Sequence, residues 1–141
     1  MEAKKMCLGL FSGSIDKLTA AGIILSGAAA DDMEVDVFVL LQGARAFQKN
    51  IATDNSKLNM AENPELKEEF LSALTRLNSN EWLEFFREAK EITDVHIHVC
   101  GLAGKIWGAE VIDDFIDIVD DICGISEYIT KAEEADIHMF I

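Results

Sequence analysis

Short apolar runs separated by stretches of helical spacing leave this chain few folds to adopt. KMCLGLF at residues 5–11, VDVFVLL at 35–41 and VHIHVC at 95–100 each have the length and apolarity of a strand. Between the first two, Ile15, Leu18, Gly22, Leu25 and Ala29 recur at helical spacing, and Ser14 or Asp16 is placed to cap that helix. The second run is apolar on both faces towards its end, as in a parallel sheet covered on both sides. Strands alternating with helices predict an α/β protein built on a parallel sheet.

The rest of the chain keeps to this pattern. Gly43 is expected to end the second strand, with a short helix over 44–49. Residues 52–63 (ATDNSKLNMAEN) are polar and aperiodic, which predicts a loop and marks the segment as a candidate lid. Asn63-Pro64 starts a helix with the stripe Leu66, Phe70, Leu74 and Leu77. Asn80 restarts one with Trp82, Phe85, Phe86 and Ala89, an aromatic stripe expected in the core or at a subunit contact. A weaker strand over 119–123, a helix over 126–134 and a terminal strand over 136–141 complete the series. A chain of 141 residues suits one domain over 1–141. Strand order stays open.

Composition narrows the function classes. A net charge of -14 and scattered arginines (Arg45, Arg76, Arg87) exclude a nucleic-acid interface, which needs clustered cations. No apolar run reaches the ~18 residues of a transmembrane helix. MEAKKMCLGLF reads as a first strand and not a signal peptide, so a soluble, cytoplasmic protein is expected. Three cysteines without CxxC spacing argue against a disulfide scaffold and a structural zinc site.

The candidate functional centre is Cys100, placed where a strand stops and the turn and helix of GLAGKIWG begin. Backbone N–H groups and the helix dipole at Gly101, together with Lys105, favour the thiolate, the nucleophilic form. The alternative is a packed small hydrophobe, the common fate of free cysteine. Cys123, in DICGIS, also sits at a strand end and is a possible second thiol; Cys7 reads as core. His96, His98 and Cys100 share one strand face, but successive same-face residues lie ~7 Å apart. One metal spans His96 and Cys100 only by bending the backbone, so no metal or other cofactor is expected. His98 is read instead as a hydrogen-bonding neighbour that tunes Cys100. His138, in the terminal strand, lies near this group or at the surface. Ser12 and Gly13, ahead of the first helix, are candidates for an anion-binding turn at the same strand-end edge, with Trp107 as an apolar wall. Glu110, Asp113, Asp114, Asp117, Asp120 and Asp121 read as a solvated, self-repelling face suited to a basic partner.

Taken together, FSGSIDKL after the first strand, MEVDVFVLL, VHIHVCGLAGKIWG and DDICGISEYITKAEEADIHMFI resemble the DsrE/DsrF/TusD-like sulfur-relay family, in particular its peroxiredoxin-like branch. The resemblance covers nearly the whole chain, least well at residues 52–80, and rests on order and position together. It implies a three-layer α/β/α domain, flavodoxin-like in general appearance, with a parallel sheet of about five strands. It also implies a homo-oligomer such as a trimer or hexamer. In function it implies a sulfur carrier that holds sulfane sulfur or thiosulfonate on Cys100 and exchanges it with a TusA-like or rhodanese-like protein. Only Cys100 carries over by position. The competing expectations are a small-ligand or protein-binding module with a structural Cys100, and a metal or redox protein that uses His98 with Cys100.

Overall fold

The computed structural model describes residues 3–141. Its strands are β1 (Lys5–Leu10), β2 (Glu34–Val39), β3 (Val95–Cys100), β4 (Asp121–Cys123) and β5 (Ile137–Phe140). The helices are α1 (Ile15–Ala30), α2 (Leu41–Ala46), α3 (Lys67–Arg76), α4 (Trp82–Ile92), α5 (Gly101–Ile106) and α6 (Ile125–Glu134). All five strands are parallel, in the order β4-β3-β2-β1-β5. The chain steps from β1 to β4 in one direction, so right-handed crossovers set α1 to α5 on one face. The return from β4 to β5 runs the other way across the whole sheet and sets α6 on the opposite face. The result is a three-layer α/β/α protein with unequal outer layers.

Strand alternation divides the side chains between the two faces. Leu8, Leu10, Val35, Val37, Val39, Val95, Ile97 and Val99 enter the main core with α1 and α4. Cys7 and Phe38 turn to the α6 face and meet Tyr128 there. The α1–α4 contact is close because Gly22 has no side chain: a Cβ there would sit 2.7 Å from Phe85 Cβ. The expected aromatic stripe is core. Phe47, Trp82 and Phe86 form an edge-to-face trio with ring centroids 5.3–5.6 Å apart. A Glu81–Glu84 capping box starts α4 one turn-residue before Trp82.

Three sequence expectations shift. β2 stops at Val39, and α2 begins at Leu41, which takes a left-handed φ of 38°. Gly43 therefore lies inside the helix and not at a strand end. It rests against the Leu10 carbonyl, where a Cβ has no room. Residues 52–63 are a pinned loop and not a free lid. Leu58 is fully buried, Lys67 Nζ donates to the carbonyls of Asn55 (2.6 Å) and Leu58 (2.5 Å), and the Asp16 carboxylate accepts from Ala61 and Glu62 N–H, each at 3.0 Å. β4 is shorter than expected and begins at Asp121; just ahead of it Asp120 holds Ile97 twice, its backbone N–H donating to the Ile97 carbonyl at 2.8 Å and its carboxylate accepting the Ile97 N–H at 2.7 Å.

The aromatic trio should dominate stability. Phe86→Ala is expected to cost about 3–5 kcal/mol, and Phe86→Leu much less, in urea unfolding monitored by circular dichroism.

Candidate functional site

Cys100 closes β3 and stands at the N-cap of α5, half-buried. With Leu40, Leu41, Leu102, Ala103, Gly124 and Ile125 it lines a largely apolar cavity of about 330 Å³ at the C-terminal edge of the sheet. This is the edge where parallel α/β proteins bind ligands. Gly101 adjoins the thiol and faces Ile122 and the Cys123 carbonyl. Cys123 is the register partner of Cys100, so the two thiols end neighbouring strands on the same side of the sheet.

One pair of residues behind Cys100, the same strand face carries a polar strip. His98 Nδ1 lies 2.7 Å from Asp121 Oδ1, and Nε2 lies 2.8 Å from Asp36 Oδ1. Phe38 stacks on the imidazole with ring centroids 4.5 Å apart. Burial opposes the charge on His98, but hydrogen bonds to Asp36 and Asp121 outweigh it and raise the pKa above the ordinary histidine value. Burial likewise opposes charge on Asp36, and the His98 bond with Lys131 nearby outweighs that and lowers its pKa. Cys123 goes the other way. Burial first, then the Glu127 and Asp121 carboxylates, push its pKa to about 12. Cys7, buried beneath α6 with Asp36 near it, is raised to about 11. Both are protonated thiols at neutral pH.

The strip revises the reading of His98. Both ring nitrogens are occupied by carboxylates, so neither is free to hydrogen-bond Cys100. Of its two partners, Asp36 is legible in the sequence as an acid set between valines of an apolar strand, whereas Asp121 reads there as part of the acidic face. That face is not one repelling surface. Asp114 caps the N–H groups of Glu110 and Val111, Asp117 pairs with Arg87 at 2.8 Å, and Asp120 with Lys90 at 2.6 Å.

Other expected site residues separate. Ser12 and Gly13 line a different cavity of about 240 Å³ with Phe11, Ser14, Gln42, Arg45, Asn59 and Ala61. The Ser12 and Ser14 hydroxyls bond each other at 2.9 Å. Trp107 is not a wall of the Cys100 cavity. Its indole N–H donates to the Leu41 carbonyl at 2.7 Å and holds the strained residue between the two cavities. Lys105 is exposed in the last turn of α5, away from the cavity lining. The six-residue length of α5 leaves its dipole small. His138 is exposed on β5 and bonds Tyr128 Oη at 2.5 Å, two strands from β3's neighbour β2. Leu40, Leu41, Leu102, Gly124 and Ile125 were missed because cavity lining arises from strand ends that only the sheet brings together.

Fold and site define an all-parallel α/β protein with a thiol at the binding edge. No family model matches the chain. The chain is similar to uncharacterized protein YrkE of Bacillus subtilis (strain 168), with 27% identity over 166 aligned positions that cover 99% of this chain and 98% of that protein. Among the described residues no helix is long and apolar enough to cross a membrane.

The arrangement offers the half-buried Cys100 thiol beside an apolar cavity, the half-buried Cys123 thiol with its pKa pushed up to about 12, and the buried Cys7 thiol with its pKa raised to about 11. In metal-free protein at neutral pH, iodoacetamide should label Cys100 ahead of Cys7 and Cys123 in peptide mass mapping. Equal labelling, or Cys123 first, would contradict this assignment.

Proposed function

We propose that the protein is a sulfur carrier with sulfurtransferase character, which holds sulfane sulfur or thiosulfonate on Cys100 and passes it to a partner protein. The observation that supports the reading best is the position of the Cys100 thiol, half-buried at the mouth of an apolar cavity on the sheet's C-terminal edge. A low-water site suits a persulfide, which must meet a partner thiol before small-molecule reductants. Loading from polysulfide has the Cys100 thiolate attack a sulfane sulfur; the new S–S bond forms as the donor's S–S bond breaks and a shorter polysulfide leaves. With tetrathionate the same attack leaves a thiosulfonate on Cys100 and releases thiosulfate. Unloading reverses the roles, with the partner thiolate attacking the sulfane sulfur bonded to Cys100 Sγ and Cys100 leaving as thiolate.

Partner and assembly follow the same reading. Exposed Leu41, Leu102 and Ile125 line the cavity, and a homo-oligomer, trimer or hexamer, would shelter it. The charge of -14 favours a basic partner, and a small TusA-like or rhodanese-like sulfur carrier fits electrostatically. Such a relay belongs in the cytoplasm, where thiols stay reduced. The second reading, a small-ligand binding module with a structural Cys100, draws on the separate cavity where Ser12, Gln42, Arg45 and Asn59 stand beside Phe11 and Ala61.

Intact-mass spectrometry after incubation with polysulfide or tetrathionate separates the two. Wild type should gain sulfur or thiosulfonate that reductant removes, and Cys100→Ser should gain none while keeping its circular dichroism spectrum. Loading retained in Cys100→Ser, or absent from both proteins, would sink the carrier reading and favour the binding module.

A further inference from the structure

We propose that His98, Asp121 and Cys123 form a binding site for a zinc-class divalent cation on the α6 face of the sheet. His98 Nδ1, an Asp121 carboxylate oxygen and Cys123 Sγ all lie within 4.8 Å of one another. A tetrahedral zinc with donors at about 2.0–2.3 Å needs ligand atoms roughly 3.3–3.8 Å apart. The widest separation therefore has to close by about 1 Å, and the 2.7 Å hydrogen bond between His98 Nδ1 and Asp121 Oδ1 has to open by roughly 0.6–1.1 Å. Cys123 and Asp121 sit on the three-residue edge strand β4, next to solvent on one side, where that movement meets little packing.

The donor set is one nitrogen, one carboxylate oxygen and one sulfur, the mixture that borderline-soft cations take and that magnesium and calcium do not. Register creates it. His98 pairs directly with Asp121, and Cys123 is the next same-face residue along β4. The geometry also supplies an outer shell. Asp36 Oδ1 accepts the Nε2–H at 2.8 Å, which turns Nδ1 toward Asp121, where the cation would take the place of the proton that the two now share; this is the carboxylate–histidine–metal arrangement that orients imidazole ligands. Phe38, stacked at 4.5 Å, fixes the ring plane. Entry is open, because the Asp121 side chain is 52% exposed.

On binding, the cation replaces the proton on His98 Nδ1 and the proton on Cys123 Sγ, and both protons pass to solvent. The thiolate and the Asp121 carboxylate then balance the two positive charges. Three protein ligands leave a fourth position for water. Cys100 is not a ligand in this scheme, so the proposal stands apart from the sulfur chemistry.

The test is zinc binding by purified, reduced protein, measured by competition with a chromophoric chelator in excess Mg²⁺. Cobalt(II) spectra provide an independent readout. Wild type should bind one zinc per chain and show a thiolate-to-cobalt charge-transfer band. Cys123→Ser should lose that band and bind zinc at least about 100-fold more weakly, and Asp36→Asn should bind about 10–100-fold more weakly. Cys100→Ser should keep one equivalent and the band. Circular dichroism checks folding, and Cys123→Ser, a one-atom exchange at the edge strand, carries the test if Asp36→Asn does not fold. Less than one zinc per wild-type chain, or equal binding by Cys123→Ser, would overturn the proposal. Neither result touches Cys100 loading, so the two readings fail separately.

Discussion

One constraint shapes this molecule: the parallel order in which β1, β2, β3 and β4 march to one side and β5 returns to the other. Right-handed crossovers then leave no choice about helix placement. The first face receives α1 to α5 and a large apolar core. The second receives α6 alone, with Tyr128, Cys7 and Phe38 as its small apolar cluster. One helix cannot cover five strands. The margin of its cover admits polar side chains, and there the buried His98, the partly buried Asp36 and Cys123 and the half-exposed Asp121 gather.

The polar strip shows how low-dielectric surroundings can be made to favour a charge. Burial alone would keep His98 neutral, Asp36 protonated and Cys123 protonated. Two carboxylates on opposite ring nitrogens reverse the outcome for His98, and His98 reverses it for Asp36. Nothing cationic compensates Cys123, whose neighbours Glu127 and Asp121 add to the burial effect. Residues one register apart thus carry opposite tendencies. The strip ends at Cys100, where the sheet opens onto the apolar cavity, so a polar site and an apolar one adjoin at a single strand end.

Much of the fold was legible locally. β3 runs over the residues its alternation predicts, and α1 over its small-residue stripe, because both signals are periodic and lie within one element. Trp82 and Phe86 were readable as core for the same reason. Boundaries failed where a backbone bond outside the element decided them. Leu41 enters α2 with a left-handed φ, held by the Trp107 indole, and ahead of β4 the Asp120 carboxylate accepts the Ile97 N–H. The 52–63 segment read as a free loop because its polarity carries no sign of Lys67 and Asp16, the side chains that pin it.

The sequence by itself determined the class of fold, the strand face shared by His96, His98 and Cys100, and the position of Cys100 at a strand end. Periodicity and turn chemistry are properties of neighbouring residues, so they survive in one dimension. The tertiary structure alone decided what those residues meet. Along β3 the next residue on the same face lies ~7 Å away. Across the sheet the neighbour is one strand spacing away, and strand order chooses which residues fill it. Pairing β3 with β2 on one side and β4 on the other gave His98 its two carboxylates and brought Cys123 beside Cys100. The same pairing placed Ser12 and Gly13 in a cavity of their own.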